Sequence, residues 1–371
     1  MNDPDPLSSL RDAIVDVDRA LLELLRRRMD LAAEVGYLKA SSGAPIVVRD
    51  IEDRVLTRAR QYAEACGVSE AVMEGVFQAI IRGSVERQHR VGIALREQRG
   101  EPMLIVGGAG GMGTWFRGFL ELGGHGAELV DPAFAGLPPS PGRFARLEDV
   151  PDLDRYAAIW VAVPLARTPE VVARLVERAP RGVIIELTSI KDPLGEVLAR
   201  SRQRGVQVIA LHPMFGPGKS PYEPLTFVLA AHRDAGEERR HLERLLHHPY
   251  TKLVTVPFPH HDRLMGWLLG LAHMTNIVFG AALTRSGIDP AELHACASTT
   301  FTRQAATALS VLAEDPELYL DIQHLNPHRH EVYAAMDEAL EQLAGLVETR
   351  DREGFRQALG AARRALAADP S

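Results

Sequence analysis

Cysteine is scarce. The 371 residues contain two, Cys66 and Cys296, too few and too far apart in sequence for a disulfide framework or a thiolate zinc site. They read as thiols of a reducing cytosol. Positive charge is in deficit too: Lys and Arg number 42 against 49 Asp and Glu, a formal net charge of -7. That balance argues against nucleic acid as a partner, and any anionic ligand must be held by particular cations rather than by a basic face. Met1 to Leu7 lacks the cationic start and apolar run of an export signal, and no stretch reads as the ~18 apolar residues of a membrane span. The expectation is a cytoplasmic protein without membrane contact. Internal repeats and low-complexity tracts are absent as well. What is present is a chain with 46% hydrophobic residues, long enough to fill roughly two to three domains.

Residues 1–92 pattern as helix. Leu7, Leu10, Ile14, Val17, Leu21, Leu24, Met29, Leu31 and Val35 recur at steps of three and four with charges between them, which predicts a first helix of roughly thirty residues or more. Ser41, Ser42, Gly43 and Pro45 stop it, a second helix opens near Asp50 and ends at Gly67, and Ser69 with Glu70 opens a third. Three helices make a thin core, so the long first helix is expected to pair with a second copy of itself. The polar stretch 93–101 reads as a linker.

From Met103 the pattern changes. Met103–Val106, Ala127–Val130, Ala158–Val163, Val183–Leu187 and Val206–Leu211 are short apolar runs, several separated by helical stretches, the mark of βαβ units in a parallel, doubly wound sheet. Thr226–Ala230 and Leu253–Val256 are expected to add edge strands, giving a Rossmann-type dinucleotide-binding domain over 102–258. Between the first strand and a helix expected over Trp115–Leu122 lies Gly108-Ala109-Gly110-Gly111-Met112-Gly113. Its glycines allow a tight turn and a close approach of backbone to a pyrophosphate at the helix N-terminus. Asp131 closes the second strand, eighteen residues after Gly113. A carboxylate there accepts from ribose hydroxyls and repels a 2′-phosphate, so NAD is expected rather than NADP.

His212 follows the strand Val206–Leu211, at the carboxyl edge where such sheets bind ligands. Pro213, Gly216 and Pro217 stiffen the loop after it, and a neutral imidazole there can accept a proton while hydride passes to a nicotinamide. A core histidine satisfied by backbone is the plainer alternative. Residues 259–371 pattern as helix, with Leu264–Leu283 apolar enough to be buried in a dimer core. His324, His328 and His330 invite a metal reading, but Pro327 interrupts the helical spacing, and no metal is expected. His260 and His261 are expected on a loop at the domain junction.

Val106 to Gly113, Val161-Ala162-Val163-Pro164, Thr188-Ser189-Ile190-Lys191, Leu211 to Pro217 and Asp315-Pro316-Glu317-Leu318-Tyr319 together resemble the dehydrogenase blocks of the bifunctional chorismate mutase/prephenate dehydrogenase family. The likeness covers nearly the whole chain in the same domain order. It implies a homodimer, with an all-α mutase-like domain, a Rossmann-type α/β domain and an all-α dimerisation domain. It also implies NAD-dependent oxidative decarboxylation of prephenate to 4-hydroxyphenylpyruvate, on the route to tyrosine. His212 is then the base, Ser189 supports it and the substrate hydroxyl, Pro164 joins the glycines and Met112 around the cofactor, Lys191 is a second anion contact, and His273 lies near the substrate tail. Arg303 is the candidate cation for the side-chain carboxylate, although alignment on Asp315-Pro316 places the family's arginine at Thr302, about 100° away on a helix.

For the helical region the resemblance implies a mutase that holds a dianion between cations, with no metal and no covalent chemistry. Arg28 and Lys39 stand three turns apart on one face, about 16 Å from each other. Arg11, rotated by about 100° from Arg28, matches an arginine that enters the partner subunit's site. Glu52, Ser84 and Gln88 also match family positions. The family's remaining arginine falls on Ile51, with Arg54 three residues on. The alternative is a prephenate or arogenate dehydrogenase whose helical domain is inactive and serves dimerisation or effector binding.

Overall fold

The structure is a computed structural model that describes residues 6–42, 44, 49–95, 100–246, 248 and 250–367. Three helices come first: α1 (Pro6–Ser42), α2 (Arg49–Cys66) and α3 (Glu70–Leu95). At 37 residues, α1 is as long as its apolar steps predict, about 55 Å at 1.5 Å per residue. The helix-stopping Gly43 and Pro45, and linker residues 96–99, lie outside the described residues. Gly67 closes α2 in the left-handed region, φ +66, where a side chain would be strained. Helices α1 and α3 approach so closely at Gly36 that a Cβ there would sit 2.7 Å from Gln88 Cα. The core they enclose is thin. Ala32, Ala59, Ala63, Ile81 and Val85 are buried, whereas Leu10, Leu22 and Leu38 stay more than 60% exposed.

Eight strands form one sheet: β1 (Met103–Val106), β2 (Ala127–Val130), β3 (Arg143–Phe144), β4 (Ala158–Val161), β5 (Val183–Glu186), β6 (Val208–Pro213), β7 (Leu225–Ala231) and β8 (Thr251–Pro257). Their spatial order is β3-β2-β1-β4-β5-β6-β7-β8. All pairs from β3 to β6 are parallel; β7 is antiparallel to β6, and β8 is parallel to β7. Strands β1, β4 and β5 are buried throughout, because α4 (Gly111–Leu122), α5 (Thr168–Arg178), α6 (Gly195–Gln203) and α7 (Ala235–Leu245) cover the two faces. One face packs around Phe116, Trp160 and Phe227, the other around Leu104, Ile159 and Val172.

Several expected boundaries move. Strands β4 and β5 stop short at Val161 and Glu186, β7 lies inside the sheet with only β8 outside it, and the short β3 carried no readable pattern. Strand β6 starts two residues late and takes in His212, so the histidine lies within the strand rather than after it. Helix α4 starts at Gly111, four residues before Trp115, because the glycine turn runs directly into the first helical turn.

The C-terminal part is helical: α8 (Phe258–Met265), a six-residue π segment (Gly266–Leu271), α9 (Ala272–Ser286), α10 (Pro290–Ala295), α11 (Thr299–Leu312), α12 (Pro316–His324), α13 (Arg329–Glu348) and α14 (Arg352–Leu366). The expected absence of a span-length apolar stretch does not hold. Phe258–Ser286 forms one continuous helix of 29 residues with mean hydropathy 1.4 in its most apolar window, long and apolar enough to cross a membrane, and only 22% of that window is buried. Interspersed Gly, Thr and His residues break the run by eye without lowering its mean enough. Nor is Leu264–Leu283 buried as a whole within one chain: Leu268 is 55% and Val278 50% exposed.

Candidate active sites

The glycine turn is a cradle that side chains would fill. Gly107 sits at φ +88, and a Cβ on it would lie 2.3 Å from the Ala162 carbonyl oxygen. On Gly113 a Cβ would meet the Gly107 oxygen at 2.1 Å, and on Gly108 it would meet Leu129 Cβ at 2.7 Å. The turn opens at the N-terminus of α4, between β1 and β4 where the strand order reverses, the place such sheets hold ligands. A cavity of about 660 Å³ lies there, lined in part by Gly107, Ala109, Gly110, Asp131, Val163 and Pro164. Gly108, Gly111, Met112 and Gly113 shape the turn rather than line the cavity. Asp131 is already engaged. Its Oδ2 accepts from the Ala109 amide at 3.0 Å and its Oδ1 from the Ala133 amide at 2.9 Å, which fixes the carboxylate at the cavity wall with lone pairs to spare. Arg146, Arg167 and Arg174 at the rim each face a carboxylate, Asp149, Glu170 and Glu148 respectively. None of the three is unpaired for a 2′-phosphate.

The histidine segment packs onto this cradle. A Cβ on Gly111 would be 3.0 Å from Pro217 Cγ, Trp115 Nε1 of α4 donates to the Lys219 carbonyl at 2.6 Å, and Phe215 tilts against the Trp115 ring at 4.8 Å. His212 is 3% exposed. Its Nδ1 lies 3.2 Å from Nε2 of His261, whose Nδ1 lies 2.7 Å from Oδ1 of Asp262. His261 was expected on a junction loop; it is fully buried in α8. Its neighbour Asp262 accepts the backbone amides of Lys191 at 2.8 and 3.0 Å and of Asp192 at 2.6 Å. Burial holds the His212 pKa well below the usual histidine value, reinforced by His261 and Lys191, and burial likewise lowers that of His261 against the pull of Asp262. Both rings are neutral near pH 7.

Lys191 does not serve as an anion contact. It is wholly buried, with Nζ 2.5 Å from Glu186 Oε1 and 2.9 Å from the Leu211 carbonyl. Its charge is spent inside the protein, where it ties the backbone just before His212 to β5. Glu186 completes the arrangement by accepting the Thr188 amide and hydroxyl at 2.9 and 2.7 Å. Ser189 is half-buried on the same turn; among the described residues it makes no hydrogen bond to His212, whose ring contact is to His261. His273 on α9 is half-buried, with the Tyr319 ring edge-on at 4.3 Å, and burial pushes its pKa down to about 4. Arg303 is exposed on α11 and makes no ion pair among the described residues; Thr302 beside it is exposed as well. Among the described residues no group of three or more His, Cys, Asp or Glu side chains is placed to hold a metal ion.

In the helical unit, Arg28 Nη1 donates to Ser84 Oγ and, at 3.3 Å, to the Ile80 carbonyl. Lys39 feels Glu52, which opposes the lowering of its pKa by burial. One turn beyond Ser84, the buried Oε1 of Gln88 has no partner, an open acceptor of the kind a ligand satisfies. Glu52 accepts the Tyr250 hydroxyl at 3.1 Å, so the sheet domain reaches the helical site, and Ile81, Val85, Tyr222, Leu122 and Tyr250 close the junction. Arg11 is seventeen residues before Arg28 on the same straight helix, about 25 Å away, and its own chain's Arg28 is beyond its reach. Ile51 is 45% exposed. Arg54, three residues on, is exposed, and its Nε donates to the Asp50 carbonyl at 3.1 Å.

Residues 10–89 match the family model described as chorismate mutase type II, and residues 258–361 match the one described as prephenate dehydrogenase, dimerization domain. The chain is similar to the T-protein of Enterobacter agglomerans, 28% identical over 354 residues that span 94% of this chain and 90% of that one. To the T-protein of Haemophilus influenzae it is 27% identical over 356 residues, 95% of this chain and 90% of the relative. The fold is similar to that of the crystal structure of prephenate dehydrogenase from A. aeolicus in complex with hydroxyphenyl propionate and NAD+, with TM-score 0.58 and 16% identity over 73% of this chain and 98% of that one.

Proposed function

We propose that the chain is a bifunctional chorismate mutase/prephenate dehydrogenase, a reading supported by the two family-model matches and by the T-protein relatives, and that its residues share the two reactions as follows. The enzyme converts chorismate to prephenate in the helical unit and oxidises prephenate to 4-hydroxyphenylpyruvate at His212, toward tyrosine. The observation that carries the reading is the packing of the His212 segment against the glycine cradle, Pro217 on Gly111, which supports taking the buried, neutral His212 as a base beside a dinucleotide site.

NAD fits the cradle: the glycine backbone leaves room that a Cβ would occupy, Asp131 stands at the cavity wall, and the rim arginines are all paired. NAD held there would supply the acceptor for the hydride of the carbinol carbon of prephenate. His212 takes the hydroxyl proton as that carbon is oxidised. The bond to the ring carboxylate breaks, carbon dioxide departs with its electron pair left in the ring, and the aromatised phenolate recovers a proton from His212. No residue should grip the departing carboxylate tightly, because that would stabilise the ground state. Arg303 is the cation we assign to the side-chain carboxylate and His273 a neutral contact near the tail, with Ser189 beside the substrate hydroxyl.

In the mutase, Arg28 and Lys39 hold the two carboxylates of chorismate in a reactive fold, Gln88 and Ser84 line the site, and Glu52 stands by the ether oxygen. Arg11 enters from the second copy. Dimerisation through the helices of 259–371 and through α1 is supported by the match to a dimerisation domain and by the exposed apolar faces of both. We divide the chain at 1–92, 93–101, 102–258 and 259–371, and place it in the cytoplasm, in keeping with two exposed, unpaired cysteines. The test is NAD reduction by the full chain with prephenate and, separately, with arogenate. Prephenate is expected to win by at least about tenfold in kcat/KM, about 1.4 kcal/mol; the reverse preference overturns the substrate assignment.

A further inference from the structure

We infer that His261 is a positioning residue that, with Asp262, fixes the tautomer of His212 and leaves Nε2 as the lone-pair nitrogen that takes the proton. The inference rests on the reading of His212 as base.

The fixed end of the chain of contacts is Asp262. Asp262 is held by backbone amides alone on the side away from His261, from Lys191 and Asp192. Such a carboxylate accepts, so the hydrogen of the 2.7 Å contact belongs to His261 Nδ1. A neutral His261 then has a lone pair on Nε2. At 3.2 Å from it, His212 Nδ1 must carry a hydrogen, because two facing lone pairs would repel. With one proton on a neutral ring, Nε2 of His212 is left bare, and it makes no hydrogen bond among the described residues. A histidine without such a partner spreads its proton over both nitrogens, and the fraction protonated at Nε2 cannot act as a base there.

The same contacts suit the ring after it has accepted a proton. The His212 imidazolium still donates from Nδ1 to His261, whose own N–H points at the Asp262 carboxylate, so negative charge stands behind the new cation without touching it. Lys191 opposes the cation, and its partner Glu186 at 2.5 Å offsets that field. These four groups, His261, Asp262, Lys191 and Glu186, are the titratable residues packed around the ring. Asp262 is further pinned through its carbonyl, which accepts Asn326 Nδ2 at 2.8 Å. The relay therefore spans the β5 turn, α8 and the α12–α13 connection, and closing these helices onto the sheet sets the base.

The experiment uses full-length His261→Ala and His261→Gln, with His212→Asn as control and NAD binding as the check on folding. Gln can donate to Asp262 and accept from His212, so it restores the pattern without a ring. His261→Ala should lower kcat about 10- to 100-fold, the range that outer partners of an active histidine carry, with KM for prephenate within about twofold, and His261→Gln should recover most of the loss. Nitrogen-15 NMR of the histidines should show His212 protonated at Nδ1 in the wild type and in His261→Gln, and a mixture in His261→Ala. If His261→Ala does not bind NAD, the spectrum and kcat of His261→Gln decide: a His212 proton on Nε2 in that variant or in the wild type contradicts the relay. Unchanged kcat and tautomer in His261→Ala overturn it while an inactive His212→Asn keeps the base. Turnover by His212→Asn overturns the base itself.

Discussion

The two sites differ in how much of each is finished within one chain. Around His212 the hydrogen-bonding groups are largely paired: Asp262, His261, Lys191 and Glu186 form a buried, mutually satisfied set. In the helical unit Gln88 Oε1 is unpaired, Ile51 faces solvent, and Arg11 is about 25 Å from the residues it should join. On the proposed reading the oxidation site is organised in advance, as proton and hydride movements need. On the same proposed reading the rearrangement site is completed by a second copy and by the ligand, which suffices for a reaction whose catalysis consists of holding a conformation.

The sharpest way to separate the two is His212→Asn, expected to lower NAD reduction by about 10²- to 10⁴-fold while chorismate is still consumed at the wild-type rate; parallel loss of both activities in steady-state assays would break the comparison. Next is Lys191→Met. It leaves Glu186 buried without its partner and should cost about 3–5 kcal/mol in stability, read as an earlier denaturant midpoint of the dehydrogenase part; a midpoint shift worth less than about 1 kcal/mol would show that the set is not closed. Arg28→Ala should reduce mutase kcat/KM by about 10²- to 10³-fold and leave prephenate oxidation within twofold, both followed in one preparation. Tyr250→Phe removes the hydrogen bond to Glu52 and should slow the mutase by roughly fivefold, about 1 kcal/mol; no change would mean that this contact does not support the helical site.

A separate effect, on stability rather than on either activity, is that of pH. His212 and His273 have folded pKa values below the ordinary 6.5, the latter at about 4. Below pH 6.5 the unfolded chain therefore binds protons that the folded one refuses, and stability falls as pH drops from about 6.5 toward 4, with no contribution above that window. Thermal unfolding across that range checks it; a flat profile would place solvent around both rings.

Much of this was legible from residue order, for physical reasons that differ by element. Helix α1 announced itself by a long apolar period, β1 by four apolar residues before glycines, and the cradle by glycines that no side chain can replace. His212 was found because a strand end in such a sheet faces ligand. His261 was not found, because nothing in a His-His-Asp triplet says which histidine turns inward, and its partner lies 49 residues away. Lys191 was misread for a related reason: only the fold reveals that Glu186, one strand earlier, turns back to neutralise it. The apolar helix Phe258–Ser286 escaped a count of consecutive residues, since its hydropathy is an average over interrupted runs.

The most direct measurement is chorismate disappearance with the purified full chain in the absence of NAD, followed by addition of NAD and observation of the reduced cofactor. Turnover in both stages is the predicted result, and it means that Arg28, Lys39 and a second copy's Arg11 suffice without an arginine at Ile51. If chorismate is untouched while added prephenate reduces NAD, the helical unit is not a working mutase and the two-site account is contradicted.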